Sequence, residues 1–186
     1  MPVPTSTSPS TAAPPREARS ERAPRPRRAP LYTEEQRRRR NASKWTLVQG
    51  ILAPLQLLVC LVSAVLVVRY LRSGEGLAAA NVSVLVKTAV LYTIMVTGAI
   101  WEKEVFGQYL FAEPFFWEDV VSFLVIALHT AYVWGLIAAW PPRQLMWIAL
   151  AAYGVYVINA TQFLLKLRAA RLAEAERAVD GAAALA

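Results

Sequence analysis

Cysteine and histidine are almost absent from this chain, and charge is absent from most of four long stretches. Cys60 stands alone, which excludes an internal disulfide and any site built from several thiolates. In mid-helix it reads as a small buried hydrophobe. His129 is the one histidine, and no quartet of metal ligands appears in the sequence. Nucleotide-cradling loops, a nucleophile elbow and transporter-like repeats are also missing, which narrows any catalysis to acids and bases. The first thirty residues have no apolar run, so they do not read as a signal peptide; rich in Pro, Ser, Ala and Arg, they are expected to be disordered. Their arginines are expected near anionic headgroups, each worth about 1 kcal/mol when close.

The missing charge defines the class. Trp45 to Val68 is uncharged over 24 residues, Val120 to Pro142 over 23 and Gln144 to Leu165 over 22, while Leu77 to Trp101 carries only Lys87. A hydrocarbon core needs about 20 helical residues, so each block suffices to cross it. With 56% apolar residues and a mean hydropathy of +0.35, the expected fold is all-α: an integral membrane bundle of four transmembrane helices with a disordered N-terminal extension. The expected organisation is an extension over 1–30, a basic interfacial helix over 31–44, the four-helix domain over 45–168 and a charged helical tail over 169–186. Thr33 followed by Gln36 has the form of a capping box and starts the interfacial helix.

The net charge of +7 is concentrated rather than dispersed. Eleven of the twenty basic residues precede Trp45, with only four acidic ones among them. This asymmetry holds an N-terminus in the cytoplasm and argues for a lipid surface and against nucleic acid. Four spans return the C-terminus to the same side, where Lys166, Arg168 and Arg171 agree; Arg69 and Arg72, in a loop facing outward, run against the trend.

The informative stretch is Trp101 to His129, where two helix ends meet at a loop. Glu102, Glu104, Glu113, Glu118 and Asp119 stand against a single Lys103, and seven of the nineteen aromatic residues lie between Trp101 and Trp117. Acids crowded among rings beside lipid suit a large flat ligand and a proton donor. Glu118 and Asp119 are sequential, and Glu102 is expected to approach them across the hairpin. Like charges in a partly dehydrated site keep one carboxyl protonated, so that it serves as an acid while an ionised neighbour orients water. A solvated acidic surface is the alternative.

Helical periodicity arranges the rest. Glu118, Ser122, Val125 and His129 form one stripe, with His129 about 15 Å beyond Asp119. His129 reads either as a ligand-binding residue or as a neutral histidine bonded to Asn159 or Tyr92 on a neighbouring helix. Asn159, Gln162 and Lys166 form a stripe expected to face the acidic hairpin, with Lys166 pairing a carboxylate. Gln49 and Gln56 share a face expected to point into the bundle. Lys87 is expected to snorkel outward, with Gly98 and Trp101 near the same face as a wall for a ligand cavity.

Three long blocks then match something more particular. LYTEEQRRRRNASKWTLVQGILAPLQ, KTAVLYTIMVTGAIWEKEVFGQYLFAEPFFWEDVVSFLVIALHTAY and YVINATQFLLKLRAARL resemble the vinyl bacteriochlorophyllide hydratases of bacteriochlorophyll synthesis, from Leu31 to about Leu172. The resemblance implies a hydro-lyase that adds water to the 3-vinyl group of a magnesium tetrapyrrole, chlorophyllide a or a bacteriochlorophyllide, giving a 1-hydroxyethyl group. It implies no cofactor beyond water as co-substrate, magnesium carried by the substrate, and a cytoplasmic or intracytoplasmic membrane of a photosynthetic bacterium. A homo-oligomer or association with other pigment-synthesis enzymes is a further expectation.

For that chemistry Glu118 is the candidate acid, and Asp119 or Glu102 positions water. Trp101, Tyr109, Phe115, Phe116, Trp117 and Asn159 are candidate contacts for the macrocycle. His129 is the candidate ligand of the substrate magnesium; the protein's own residues form no metal site. Two rival readings are a non-catalytic tetrapyrrole carrier or sensor, although the tryptophan-rich proteins of that kind have five spans, and an assembly factor whose acidic loop docks a partner.

Overall fold

The computed structural model describes residues 31–184, so the expectation for the Pro/Arg-rich extension lies outside the described residues. Five helices follow: α1 (Glu34–Ala42), α2 (Lys44–Ser73), α3 (Leu77–Phe106), α4 (Phe116–Ile137) and α5 (Pro142–Ala184), with a 3₁₀ turn at Glu113–Phe115. Helices α2 to α5 are each long and apolar enough to cross a membrane. Such spans are viable in lipid because a helix satisfies its own backbone hydrogen bonds.

Helix α1 starts where its capping box predicts. The Thr33 hydroxyl accepts from Gln36 N at 3.2 Å and Thr33 N donates to Gln36 Oε1 at 2.9 Å. It stops at Ser43, whose extended backbone turns the chain into α2 and whose hydroxyl accepts from Trp45 N. The same hydroxyl donates to the Glu104 carboxylate and so fixes this corner against α3.

The four long helices form two antiparallel hairpins. Helices α2 and α3 are joined through Gly74 and Gly76, both at positive φ, where a side chain would be strained. Gln49 of α2 donates to Thr97 Oγ1 of α3 at 2.8 Å, and the Ser63 and Ser83 hydroxyls share a bond at 2.7 Å. The second hairpin turns through Ala138 and Ala139 into α5, with Asn159 donating to Ser122 at 2.7 Å. Each hairpin packs closely within itself, whereas α2 against α5 and α3 against α4 meet far more sparsely. A seam therefore runs through the bundle.

Two clusters fill it. The larger, around Val67, Val84, Val125, Tyr132, Met146 and Ala152, holds the half nearer the two short interhelical turns. The smaller gathers Tyr32, Val105 and Phe115, with Trp101, Phe106 and Phe163 packed on them, at the opposite end. Polar bonds cross the seam toward the turns: Tyr132 donates to Asn81 at 2.7 Å, the Ser63 and Tyr153 hydroxyls meet at 2.6 Å, and those of Tyr92 and Thr130 at 2.7 Å.

The expected outward snorkelling of Lys87 is not found. Its side chain is fully buried, and Nζ sits 3.7 Å from the centroid of the Tyr156 ring. Helix rotation, set by packing against α2, turns this residue inward. Gly98 and Trp101 face α2 rather than a cavity: a Cβ at Gly98 would lie 3.8 Å from Gln49, and Trp101 Nε1 donates to Thr46 Oγ1 at 2.9 Å. The tail over 169–184 continues α5 without a break, and Arg40 reaches it at Glu174, 3.6 Å away.

Gly135 is where the second hairpin closes tightest. A Cβ there would meet Trp140 Cε3 at 2.7 Å and Leu145 Cδ2 at 2.8 Å. Overpacking of this kind costs about 1–3 kcal/mol. Gly135→Ala should therefore lower the unfolding temperature of the detergent-solubilised protein, while Gly154→Ala, with open space around its Cβ position, should not.

Candidate active site

The loop between α3 and α4 is folded over a pair of carboxyl groups. Helix α3 ends at Gly107, whose φ of 88° lets the chain leave the helix while its N–H still bonds Lys103 O. Phe111 then adopts φ 58°, a left-handed conformation unusual for a bulky side chain. What holds it there is Asp119, whose Oδ2 accepts from Phe111 N at 2.6 Å. The next N–H, that of Ala112, donates to Glu102 Oε2 at 3.2 Å. One carboxyl from each hairpin thus takes one backbone donor of a strained loop, and strain of this kind gathers at functional sites.

Glu102 and Asp119 thus come together over two adjacent donors, Ala112 N and Phe111 N. Both are almost fully buried, 5% and 4% exposed. Two buried carboxyls this close repel when both are charged, so the loop donors at Phe111 and Ala112 are what the pair draws on.

Glu118 takes a different partner. Its Oε1 lies 2.5 Å from Lys166 Nζ of α5, the pairing anticipated for the α5 stripe. Lys166 also donates to Pro114 O, which ties the 3₁₀ turn to α5, and its ammonium lies 5.1 Å from the Phe115 ring centroid. The second oxygen, Oε2, is buried with no partner among the described residues. That leaves a carboxylate anchored on one side and free to accept a hydrogen bond on the other.

The stripe above it is buried as the periodicity requires, with Ser122, Val125 and His129 all inward. His129 bonds neither Asn159 nor Tyr92. Asn159 is engaged by Ser122, and Tyr92 by Thr130. The imidazole instead uses Nδ1 on Val125 O at 2.8 Å. A carbonyl only accepts, so the proton sits on Nδ1 and the lone pair on Nε2, which is fully buried without a partner. An imidazole held in this tautomer by its other nitrogen is the usual arrangement of a histidine metal ligand.

The aromatic residues divide into two groups. Trp101 and Phe115 join Tyr32, Phe106 and Phe163 in an interlocked cluster with centroids 5.6–5.9 Å apart for the Trp101–Phe115, Phe106–Phe115 and Phe115–Phe163 pairs. Burial raises the Tyr32 phenol above its ordinary pKa, with Arg40 pulling it the other way. Tyr109, Phe116 and Trp117 face outward, 60%, 43% and 69% exposed, and Phe111 stacks on Phe123 at 5.4 Å beside them. Tyr32, Phe106 and Phe163 reach this core from the approach to α1, the end of α3 and the middle of α5, so no local spacing in the sequence reports them. An open cleft of about 530 Å³, lined by Thr33, Gln36, Phe106, Gln108, Ala112 and Glu113 among others, covers the loop on the water side and reaches Ala112, the donor to Glu102.

Fold and site together define a polytopic all-helical membrane protein with a buried carboxyl cluster at one end of the bundle. Residues 32–169 match the family model described as 2-vinyl bacteriochlorophyllide hydratase, and the chain belongs to that family. It is 69% identical over 147 residues to the 2-vinyl bacteriochlorophyllide hydratase of Rhodobacter capsulatus, covering 79% of this chain and 86% of the relative. It is 70% identical over 142 residues to the protein of that name from Cereibacter sphaeroides, covering 76% of this chain and 89% of the relative. No solved structure matches.

The Glu118–Lys166 pair is testable alone. Removing one partner of a buried ion pair costs on the order of 3 kcal/mol, because the other charge is stranded. Lys166→Met should therefore destabilise the solubilised protein strongly, and Glu118→Gln with Lys166→Met should recover at least half of the loss in a double-mutant cycle.

Proposed function

We propose that this chain is a membrane-embedded hydratase that adds water across the vinyl group of a magnesium tetrapyrrole free acid, chlorophyllide a or a bacteriochlorophyllide, to give a 1-hydroxyethyl group. The observation that carries this reading is the 69–70% identity to two proteins named for that activity. The site geometry supplies the chemistry. A proton moves to the terminal vinyl carbon, leaving a cation on the carbon attached to the macrocycle, which delocalises the charge. Water attacks that carbon and loses a proton to a base.

The positions of the cations among the carboxyls favour one division of labour. Glu102 and Asp119 share a proton and form the acid. Glu118, with Lys166 on Oε1 and nothing on Oε2, orients and deprotonates the water. This reverses the assignment expected from sequence, where Glu118 was the acid. Water enters through the cleft over the loop. His129 Nε2 ligates the substrate magnesium from within the bundle, and the outward aromatics Tyr109, Phe116 and Trp117 meet the macrocycle as it arrives from lipid. Trp101 and Phe115 back the site from the aromatic core, and Asn159 holds Ser122 between Glu118 and His129. The carboxyl end and both termini face the cytoplasm, on the strength of the basic residues before Trp45.

Membranes containing the chain, incubated with chlorophyllide a in isotopically labelled water, should yield pigment heavier by one labelled water at the former vinyl position. Glu102→Gln, Asp119→Asn and Glu118→Gln should each lower kcat by roughly 10²–10⁴-fold, the usual worth of a general acid or base. Glu104→Gln, whose partner is the Ser43 corner, should stay near the wild type. Pigment recovered bound but chemically unchanged would replace this reading with a carrier.

A further inference from the structure

Polar bonds cross the seam between the hairpins at Ser63–Tyr153, Asn81–Tyr132 and Tyr92–Thr130, and Glu102 and Asp119 share a loop at the carboxyl end, but a group of polar atoms between these contacts is unpaired. Gln56 Nε2 and Oε1 and Lys87 Nζ on the first hairpin, and His129 Nε2 and Asn159 Oδ1 on the second, are all buried atoms without a hydrogen-bond partner among the described residues. Lys87, His129 and Gln56 are 0%, 0% and 1% exposed. Polar groups enclosed in this way are costly, the more so for an ammonium within the hydrocarbon layer. The other charged or titratable groups facing Lys87 are Cys60, His129 and Tyr156, and none of them is an anion partner for it.

We propose that Lys87 is the anchor for a carboxylate arm of the substrate, inserted with the macrocycle between the two hairpins. The inference rests on the hydratase reading, under which the substrate is a free acid carrying one ionised propionate as well as a vinyl group. Those two arms leave the ring in widely divergent directions, with the magnesium between them. Paired residues place Lys87 at the right depth: Tyr156, which lies under Nζ, is three residues from Tyr153, the ring neighbour of His129, and three from Asn159, the partner of Ser122. Nζ therefore stands between four and eleven residues of α4 in from Glu118, on the order of 6–16 Å. One molecule would reach from the carboxyl cluster to Lys87, with His129 beside its ring. A charged hydrogen-bonded pair there would satisfy the ammonium and fix which edge of the ring points at the acid. The Gln56 amide is placed to donate to the same carboxylate.

The test compares chlorophyllide a with its methyl ester, which keeps the vinyl group and magnesium but carries no carboxylate. Binding is read by pigment fluorescence and hydration by mass spectrometry, on wild-type protein and Lys87→Met in detergent. Wild type should bind the acid more tightly than the ester by roughly 10- to 100-fold, the worth of one charge-assisted hydrogen bond. In Lys87→Met, a swap that fills the same space without charge, the preference should collapse to within about twofold. Equal affinity of wild type for acid and ester would overturn the proposal without relying on any variant, and so would a preference that survives in Lys87→Met or a wild type that binds neither pigment. A preference lost on substitution, in a protein that hydrates neither compound, would keep the Lys87 anchor and remove the hydratase.

Discussion

A bundle embedded in hydrocarbon has no solvent to satisfy its polar atoms, so each buried donor or acceptor depends on a partner from a neighbouring helix. That constraint organises this protein. Where partners meet, the hairpins are fastened: Ser63 to Tyr153, Tyr132 to Asn81 and Tyr92 to Thr130 across the seam, and Glu102 and Asp119 through the loop they share at the other end. Between those fastenings Gln56, Lys87 and His129 present atoms to one another's neighbourhood that no side chain satisfies. A fold stabilised only by its own contacts would have placed leucines there, and swapping buried charge for well-packed apolar residues is commonly neutral or stabilising.

The loop over the carboxyl pair obeys the same constraint at the membrane surface. Phe111 holds a conformation that a bulky residue does not adopt freely, and the cost is offset by the bond from its N–H to Asp119 and from Ala112 to Glu102. Loop and pair are thereby coupled.

Much of this was legible in the sequence because helical period reports which residues share a face. The capping box at Thr33, the Glu118 to His129 stripe and the Lys166 contact all follow from spacing alone. What spacing cannot report is how far each helix is rotated against its neighbours. Lys87 lies near enough to a span's end to reach headgroups, and only packing against α2 and α5 turns it toward Tyr156. The aromatic residues of the hairpin were likewise legible as a group but not as two. Phe115 and Phe116 are adjacent, yet one closes a core with Tyr32 and Phe163 and the other faces outward, because the 3₁₀ turn ends between them.

The proposed division of labour among the carboxyls follows from where one cation sits. Three acids of similar intrinsic strength lie at one end of the bundle, and the sequence offers no ground for separating them. Lys166 separates them by position: it approaches Glu118 at 2.5 Å and leaves Glu102 and Asp119 to each other. In the proposed scheme the acid beside the ammonium keeps one oxygen free for water, and the two acids that face each other supply the proton. Addition of water to an alkene needs both functions at once, on atoms one bond apart. A single carboxyl would have to serve in sequence; a pair and a separate carboxylate, contributed by adjacent residues of α4 and a facing residue of α3, provide them together.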